Sequence, residues 1–261
     1  DITVVPINIQ FGTDTNLDVI TIDSETFYRT DEESGTLPKT SQPSAGQFEE
    51  YYARLADAGA TDIISIHVTG KLSGTYQSAE MAKGMMVDRV RVHPFDTLSG
   101  SAGMGFMVLE AVRMAEAGGS VEEILARLEA MRDSMNVLLT VRDLRYAKMS
   151  GRVGTLQSSL SSMLRIKPII LLEDGVLDVT EKVRTQRKAI NCMCDIMAER
   201  LGPPGPVNLA VVHAAAPEEG QALLEQARTM FDVRETYLSG LALSLAVQFG
   251  PGTLGLMAYR V

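Results

Sequence analysis

Two rhythms of apolar and polar positions divide this chain near residue 145. In the first half, short apolar runs alternate with amphipathic stretches. Residues 62–68, 88–95 and 136–141 read as strands. In 47–58, Phe48, Tyr52 and Leu55 recur at helical spacing. Ser44, with Gln47 three residues on, forms a capping box for that helix, and Gly59 is its stop. Residues 121–132 repeat the logic, with Ser120 and Glu123 as the box and Ile124, Leu125, Leu128 and Met131 as the stripe. Strands alternating with helices predict an α/β unit whose mainly parallel sheet is flanked by helices.

The second half reads differently. Residues 166–172 run into Asp174-Gly175 and then Val176–Val183, and Asp-Gly between apolar runs predicts a hairpin. A helix is expected over 185–201, then a break at Pro203-Pro204-Gly205-Pro206. Strands at 207–213 and 233–238 enclose a helix over Pro217–Met230, and 253–261 closes the chain as a strand. The pattern predicts an α+β domain with a mainly antiparallel sheet. The expected domains are 1–145 and 146–261, closely packed, with a ligand between them. Residues 1–6 read as the middle of a strand, so one βα unit is expected upstream.

Composition narrows the function. Of 261 residues, 45% are hydrophobic and 22% charged, which is ordinary globular usage. No apolar run approaches the ~18 residues of a membrane span. A formal charge of −9 argues against nucleic acid or an anionic membrane as partner. An anionic ligand must then be held by local donors rather than by the overall field. Cys192 and Cys194 lie two apart on a helix, on different faces, so neither a disulfide nor a metal pair is expected. A reducing cytoplasm is the default.

Three stretches carry candidate chemistry. Leu37–Ser44 forms a Pro-bounded loop before a capped helix. There Thr40 and Ser41 either cap and turn, or join the helix N-terminus as a carboxylate cradle. In Thr69–Tyr76 a strand passes through glycine turns into a helix. Ser73 is either the N-cap, or acts with Gly74 and Thr75 as a donor group at the carboxyl end of the strand. The small residues of Asp96–Gly105 either let helix and strand pack closely or leave room for an apolar chain; their spacing fits neither a Rossmann fingerprint nor a P-loop. Fourteen methionines fill either core or a pocket for a flexible chain. His67, His93 and His213 are isolated, no G-x-S-x-G elbow or metal-spaced set occurs, and no base stands near the serines in sequence.

Taken in order, Val4-Val5-Pro6, Lys39–Ser44, Leu72–Ala79, Ser150-Gly151-Arg152, Lys167-Pro168-Ile169, Val183-Arg184-Thr185 and Gly250–Gly255 resemble the DegV family, the fatty-acid-binding subunits of bacterial fatty acid kinase. The resemblance implies one long-chain fatty acid held between two domains, with no cofactor, no metal and no catalytic machinery. It implies that a partner kinase phosphorylates the bound carboxylate to an acyl-phosphate for phospholipid synthesis. The family's carboxylate contacts map onto Thr40 and Ser73, with Ser41, Gly74 and Thr75 beside them, and its basic docking positions onto Arg152 and Arg187. Where members often carry a histidine two residues before the final Gly-Pro-Gly, this chain has Gln248, which hydrogen-bonds but carries no charge or proton. A serine-dependent acyl hydrolase and a binder of another hydrophobic anion remain the alternatives.

Overall fold

A computed structural model describes residues 2–18, 20–34, 37–152 and 166–261. Asp1, the first residue of the strand expected at the start, lies outside them. Among the described residues the elements are β1 (Asn8–Phe11), β2 (Asp14–Leu17), α1 (Ser24–Ser34), β3 (Lys39–Ser41), α2 (Ala45–Asp57), β4 (Asp62–His67), α3 (Thr75–Met85), β5 (Arg91–Asp96), α4 (Ser101–Glu116), α5 (Val121–Ser134), β6 (Asn136–Thr140), α6 (Leu144–Ser150), β7 (Lys167–Glu173), β8 (Val176–Val183), α7 (Gln186–Leu201), β9 (Pro206–His213), α8 (Pro217–Met230), β10 (Asp232–Gly240), α9 (Leu243–Phe249) and β11 (Leu254–Arg260). Both expected capping boxes form, with Ser44 accepting from Gln47 N and Ser120 from Glu123 N.

Three sheets result. β4 and β5 pair in parallel around α3, a βαβ unit whose carboxyl ends fall at residues 67–70 and 96–101. A small antiparallel sheet runs β2-β1-β3. The largest sheet has six strands in the order β10-β9-β11-β6-β7-β8, antiparallel except for β9 and β10. β6, on the amino-terminal side of residue 145, is one of its inner strands. Residues 2–6, expected as strand, carry none; the strand starts at Asn8, where partners on both sides become available.

The six-stranded sheet is covered on both faces, and the alternation of side chains decides which core each residue joins. Val137 and Leu139 face a core shared with α4, α5, α9 and the amino-terminal Ile9, Ile22 and Phe27. Leu138, Ile169, Leu209 and Leu256 face the opposite way, against Met193, Met197 and Leu223 of α7 and α8. Burial on both faces explains why β9 reads as a continuous apolar run. A third core joins Phe48 and Tyr52 of α2 to Ala79 and Ala82 of α3 and Val92 of β5. Cys194 is buried in the second core, and burial pushes its thiol up to about 12. Gly103 lies against Ser99, Met135 and Val137, so there the small residue serves close packing; at Gly105 the space beside the backbone is open.

One contact brings the largest sheet to the βαβ unit. Asp174 and Gly175 both have positive φ (48° and 75°), as a two-residue type I′ hairpin requires. The hairpin tip reaches the carboxyl ends of β4 and β5, where Thr69 Oγ1 donates to Gly175 O at 3.0 Å. A β-carbon on Gly175 would stand 2.3 Å from that oxygen. Gly175→Ala is therefore expected to destabilise the fold by about 1–3 kcal/mol, from the strained φ and the displaced tip. Denaturant unfolding measures it, and an unchanged midpoint would contradict the docking.

Candidate binding site

The Pro-bounded loop containing Thr40 is a strand instead. Lys39–Ser41 pairs with β1, setting Ile9 opposite Thr40 and Asn8 opposite Ser41. The backbone groups of β1's free edge have to be met, and three residues of β3 meet them. Strand alternation then sends the two hydroxyls to opposite faces. Ser41 is exposed and accepts from Asn8 Nδ2 at 3.3 Å. Thr40 is half-buried and accepts from Gln248 Nε2 at 2.8 Å. An amide N–H occupying an acceptor position on Thr40 Oγ1 leaves the threonine's own hydrogen to be donated elsewhere.

Gln248 lies on α9, an element the sequence pattern did not reveal. The helix has seven residues, and Leu243, Ala246, Val247, Gln248 and Phe249 are all buried. No polar face survives to show a helical period. Its end is fixed by Gly250 (φ 78°), against which the Tyr146 ring of α6 packs so closely that no side chain fits. Thr253 Oγ1 donates to the carbonyls of Phe249 and Gly250, closing the last turn.

Ser73-Gly74-Thr75 sits where the sequence placed it, after β4, but with a different bonding pattern. The N-cap of α3 is Gly74, without a side-chain cap, so Ser73 is not the expected cap. Ser73 Oγ takes the N–H of Thr75 at 3.3 Å and pairs with Thr75 Oγ1 at 2.7 Å. Two hydroxyls carry two hydrogens; one is used between them and one remains to be donated. Among the described residues the hydrogen-bond partners of Ser73 Oγ are groups of Thr75, neither of them a base.

Gln42 links these groups, a residue sequence reasoning quoted within Lys39–Ser44 without assigning it a part. Its amide passes over Gly74, where a β-carbon would stand 2.3 Å from Nε2 and 2.4 Å from Oε1. The end of β3 thus meets the start of α3. That places Gly74 beside the strand that carries Thr40 and, through Thr40, Gln248, while Ser41 faces out. Arg152 is exposed just beyond α6, the helix packed on α9, and donates to Ser150 O at 2.7 Å. Arg187 is exposed in the first turn of α7, whose buried face belongs to the opposite side of the six-stranded sheet from α9.

Beneath the turn, Tyr52 OH, Ser65 Oγ and His67 Nε2 form a chain of 2.7 and 2.8 Å contacts. Phe48 and Tyr76 stand edge-on to the imidazole. Burial lowers His67 to about 4 and raises the Tyr52 hydroxyl to about 12. The backbone carbonyl of His67 accepts from Thr97 Oγ1 at 2.7 Å, joining β4 to β5. His93 pairs with Asp62 at 3.0 Å, and His213 accepts the N–H of Ala216 at 3.4 Å. All three histidines therefore have structural partners. Among the described residues no cluster of His, Cys, Asp or Glu is placed to hold a metal, and no helix is long and apolar enough to cross a membrane.

Known proteins share this fold and sequence. A family model described as "Uncharacterised protein, DegV family" matches residues 1–261. A DegV domain-containing protein of Halalkalibacterium halodurans is 32% identical over 256 residues, spanning 98% of this chain and 90% of that protein. The solved structure of a DegV family protein from Thermus thermophilus, described as fatty acid binding, is 31% identical with a TM-score of 0.91, covering 98% of this chain and 91% of that one. DegV of Bacillus subtilis, described as a fatty acid binding protein, gives 31% and 0.89 over 98% and 91%.

Two outcomes test the site as a structure. Gly74→Ala should displace the flexible Gln42 amide and lower ligand affinity about tenfold, with unfolding free energy kept within about 1 kcal/mol. Titration calorimetry and denaturant unfolding read the two arms, and a large stability loss with intact binding would contradict the linkage. His67 supplies a pH signature. Below pH ~6.5 the unfolded chain takes up a proton that the folded chain refuses until about pH 4, so stability falls as pH falls through that window. Against His67→Gln, the wild type should lose up to about 3 kcal/mol across it; parallel pH–stability curves would contradict the burial.

Proposed function

This chain belongs to the DegV family, and on that premise we propose that it binds one long-chain fatty acid and holds its carboxylate on neutral donors. What supports this reading is Gln42 packing over Gly74, which joins the strand carrying Thr40, itself bonded to Gln248, to the turn carrying the Ser73–Thr75 hydroxyl pair. Each group has a hydrogen left to donate, and neither is set up for nucleophilic attack. The described relatives from Thermus thermophilus and Bacillus subtilis support the choice of ligand.

The energetics divide the work. About fifteen methylenes at ~0.8 kcal/mol each give a gross apolar gain of roughly 12 kcal/mol. Ordering the chain and losing free translation take back much of it. Each hydrogen bond to the carboxylate adds about 1.5–3 kcal/mol, enough to offset its desolvation. The tail thus sets affinity and the hydroxyls set orientation. The tail lies between the two domains in this reading, divided near residue 145, with β6 extending from the first half into the sheet of the second.

The proposal extends to a carrier role without catalysis of its own. A partner fatty acid kinase phosphorylates the presented carboxylate, in a cytoplasmic setting, for phospholipid synthesis. Arg152 and Arg187, both exposed, supply the docking charge. Gln248 replaces a titratable family position, so any proton handling in the transfer falls to the kinase or solvent.

Organic extraction of the purified protein, followed by mass spectrometry, should release about one fatty acid per chain; an empty preparation that takes up none on incubation would overturn the reading. Arg152→Ala and Arg187→Ala should spare lipid binding and cut acyl-phosphate formation by the kinase about tenfold or more. Equal loss of both would refute a docking role.

A further inference from the structure

α9 is gripped at both ends by the small three-stranded sheet. At its far end Thr40 of β3 holds Gln248. At its near end Asp18, which directly follows β2, accepts the N–H of Ser244 on Oδ2 at 3.0 Å. Ser244 and Gln248 are four residues apart, one turn along the same helix face. β2 and β3 are the two outer strands around β1, so α9 is held at one end from the residue after β2 and at the other from β3.

Asp18 is itself held in place. Its N–H donates to Ile7 O at 2.9 Å, and it forms a bridge with Ile22. It is only 5% exposed, and its second oxygen, Oδ1, is buried with no hydrogen-bond partner among the described residues. A buried carboxylate with one oxygen unmet carries a desolvation cost that a smaller capping side chain would avoid. The geometry it secures is the register of α9 against β3.

We propose that Asp18 is a positioning residue of the carboxylate site, acting through α9 to hold the Gln248 amide on Thr40. This rests on the fatty-acid reading above. It assigns Asp18 no contact with the ligand. Its work is to fix where Gln248 Nε2 arrives, hence which way the Thr40 hydroxyl hydrogen points. Without the grip, α9 shifts, Thr40 loses its orientation, and the site no longer distinguishes a carboxylate from an uncharged head. The tail's burial, and so much of the affinity, is retained.

The test is competition of palmitate and hexadecanol against a fluorescent fatty acid on the whole chain. The readout is the preference for palmitate over hexadecanol, a ratio that a general loss of stability does not change. Asp18→Ala should reduce that preference roughly tenfold, as the loss of one charged hydrogen bond allows. Asp18→Asn keeps an acceptor for Ser244 N–H and should stay within about twofold of wild type. Ser244→Pro removes the donor at a position in the first helical turn where no intrahelical bond is lost, and should match Asp18→Ala; it carries the test if Asp18→Ala does not fold. An unchanged preference in Ser244→Pro or in folded Asp18→Ala, with Thr40→Val losing it, overturns the role of Asp18 alone. A wild type with no preference for the carboxylate overturns the fatty-acid reading and the role of Asp18 with it.

Discussion

A carboxylate that leaves water for the inside of a chain with formal charge −9 must meet donors whose hydrogens are not already spent. The candidate site is built around that constraint. Gln248 occupies an acceptor position of Thr40 and leaves its hydrogen to be donated elsewhere. Ser73 and Thr75 share one hydrogen and keep one. Neutral donors avoid burying a cation that would itself need a counter-charge when the site is empty.

The groups concerned come from three separate stretches of sequence, and the fold is what draws those stretches together. β3 delivers Thr40 and Gln42, the turn after β4 delivers Ser73–Thr75, and α9 delivers Gln248. The six-stranded sheet supports this from below, since one of its faces shares a core with α4, α5, α9 and the amino-terminal sheet. The hairpin tip at Gly175 reaches the carboxyl ends of β4 and β5 and fixes the βαβ unit beside the rest.

Much of this was legible in the residues. Capping boxes announced α2 and α5, Asp174-Gly175 announced the β7–β8 turn, and alternation of strands and helices gave the mixed architecture. The motif runs placed Thr40 and Ser73 on candidate stretches before any geometry was known. What stayed hidden has physical causes. β3 is three residues long and owes its existence to the edge of β1, so a loop was the natural reading. α9 is short and buried nearly all round, so it shows no period. The parts played by Gln42 and Asp18 depend on contacts 32 and 226 residues away in sequence, with Gly74 and Ser244, which no local pattern encodes. Ser41 looked equivalent to Thr40 until the pleat set them on opposite faces.

The most direct test of the account is a crystal structure with palmitate bound. The account predicts both carboxylate oxygens at about 3 Å from the Thr40 and Ser73–Thr75 hydroxyls, with Gln248 still on Thr40. A head-group lodged elsewhere, or a chain bound with its carboxylate away from these hydroxyls, would contradict it.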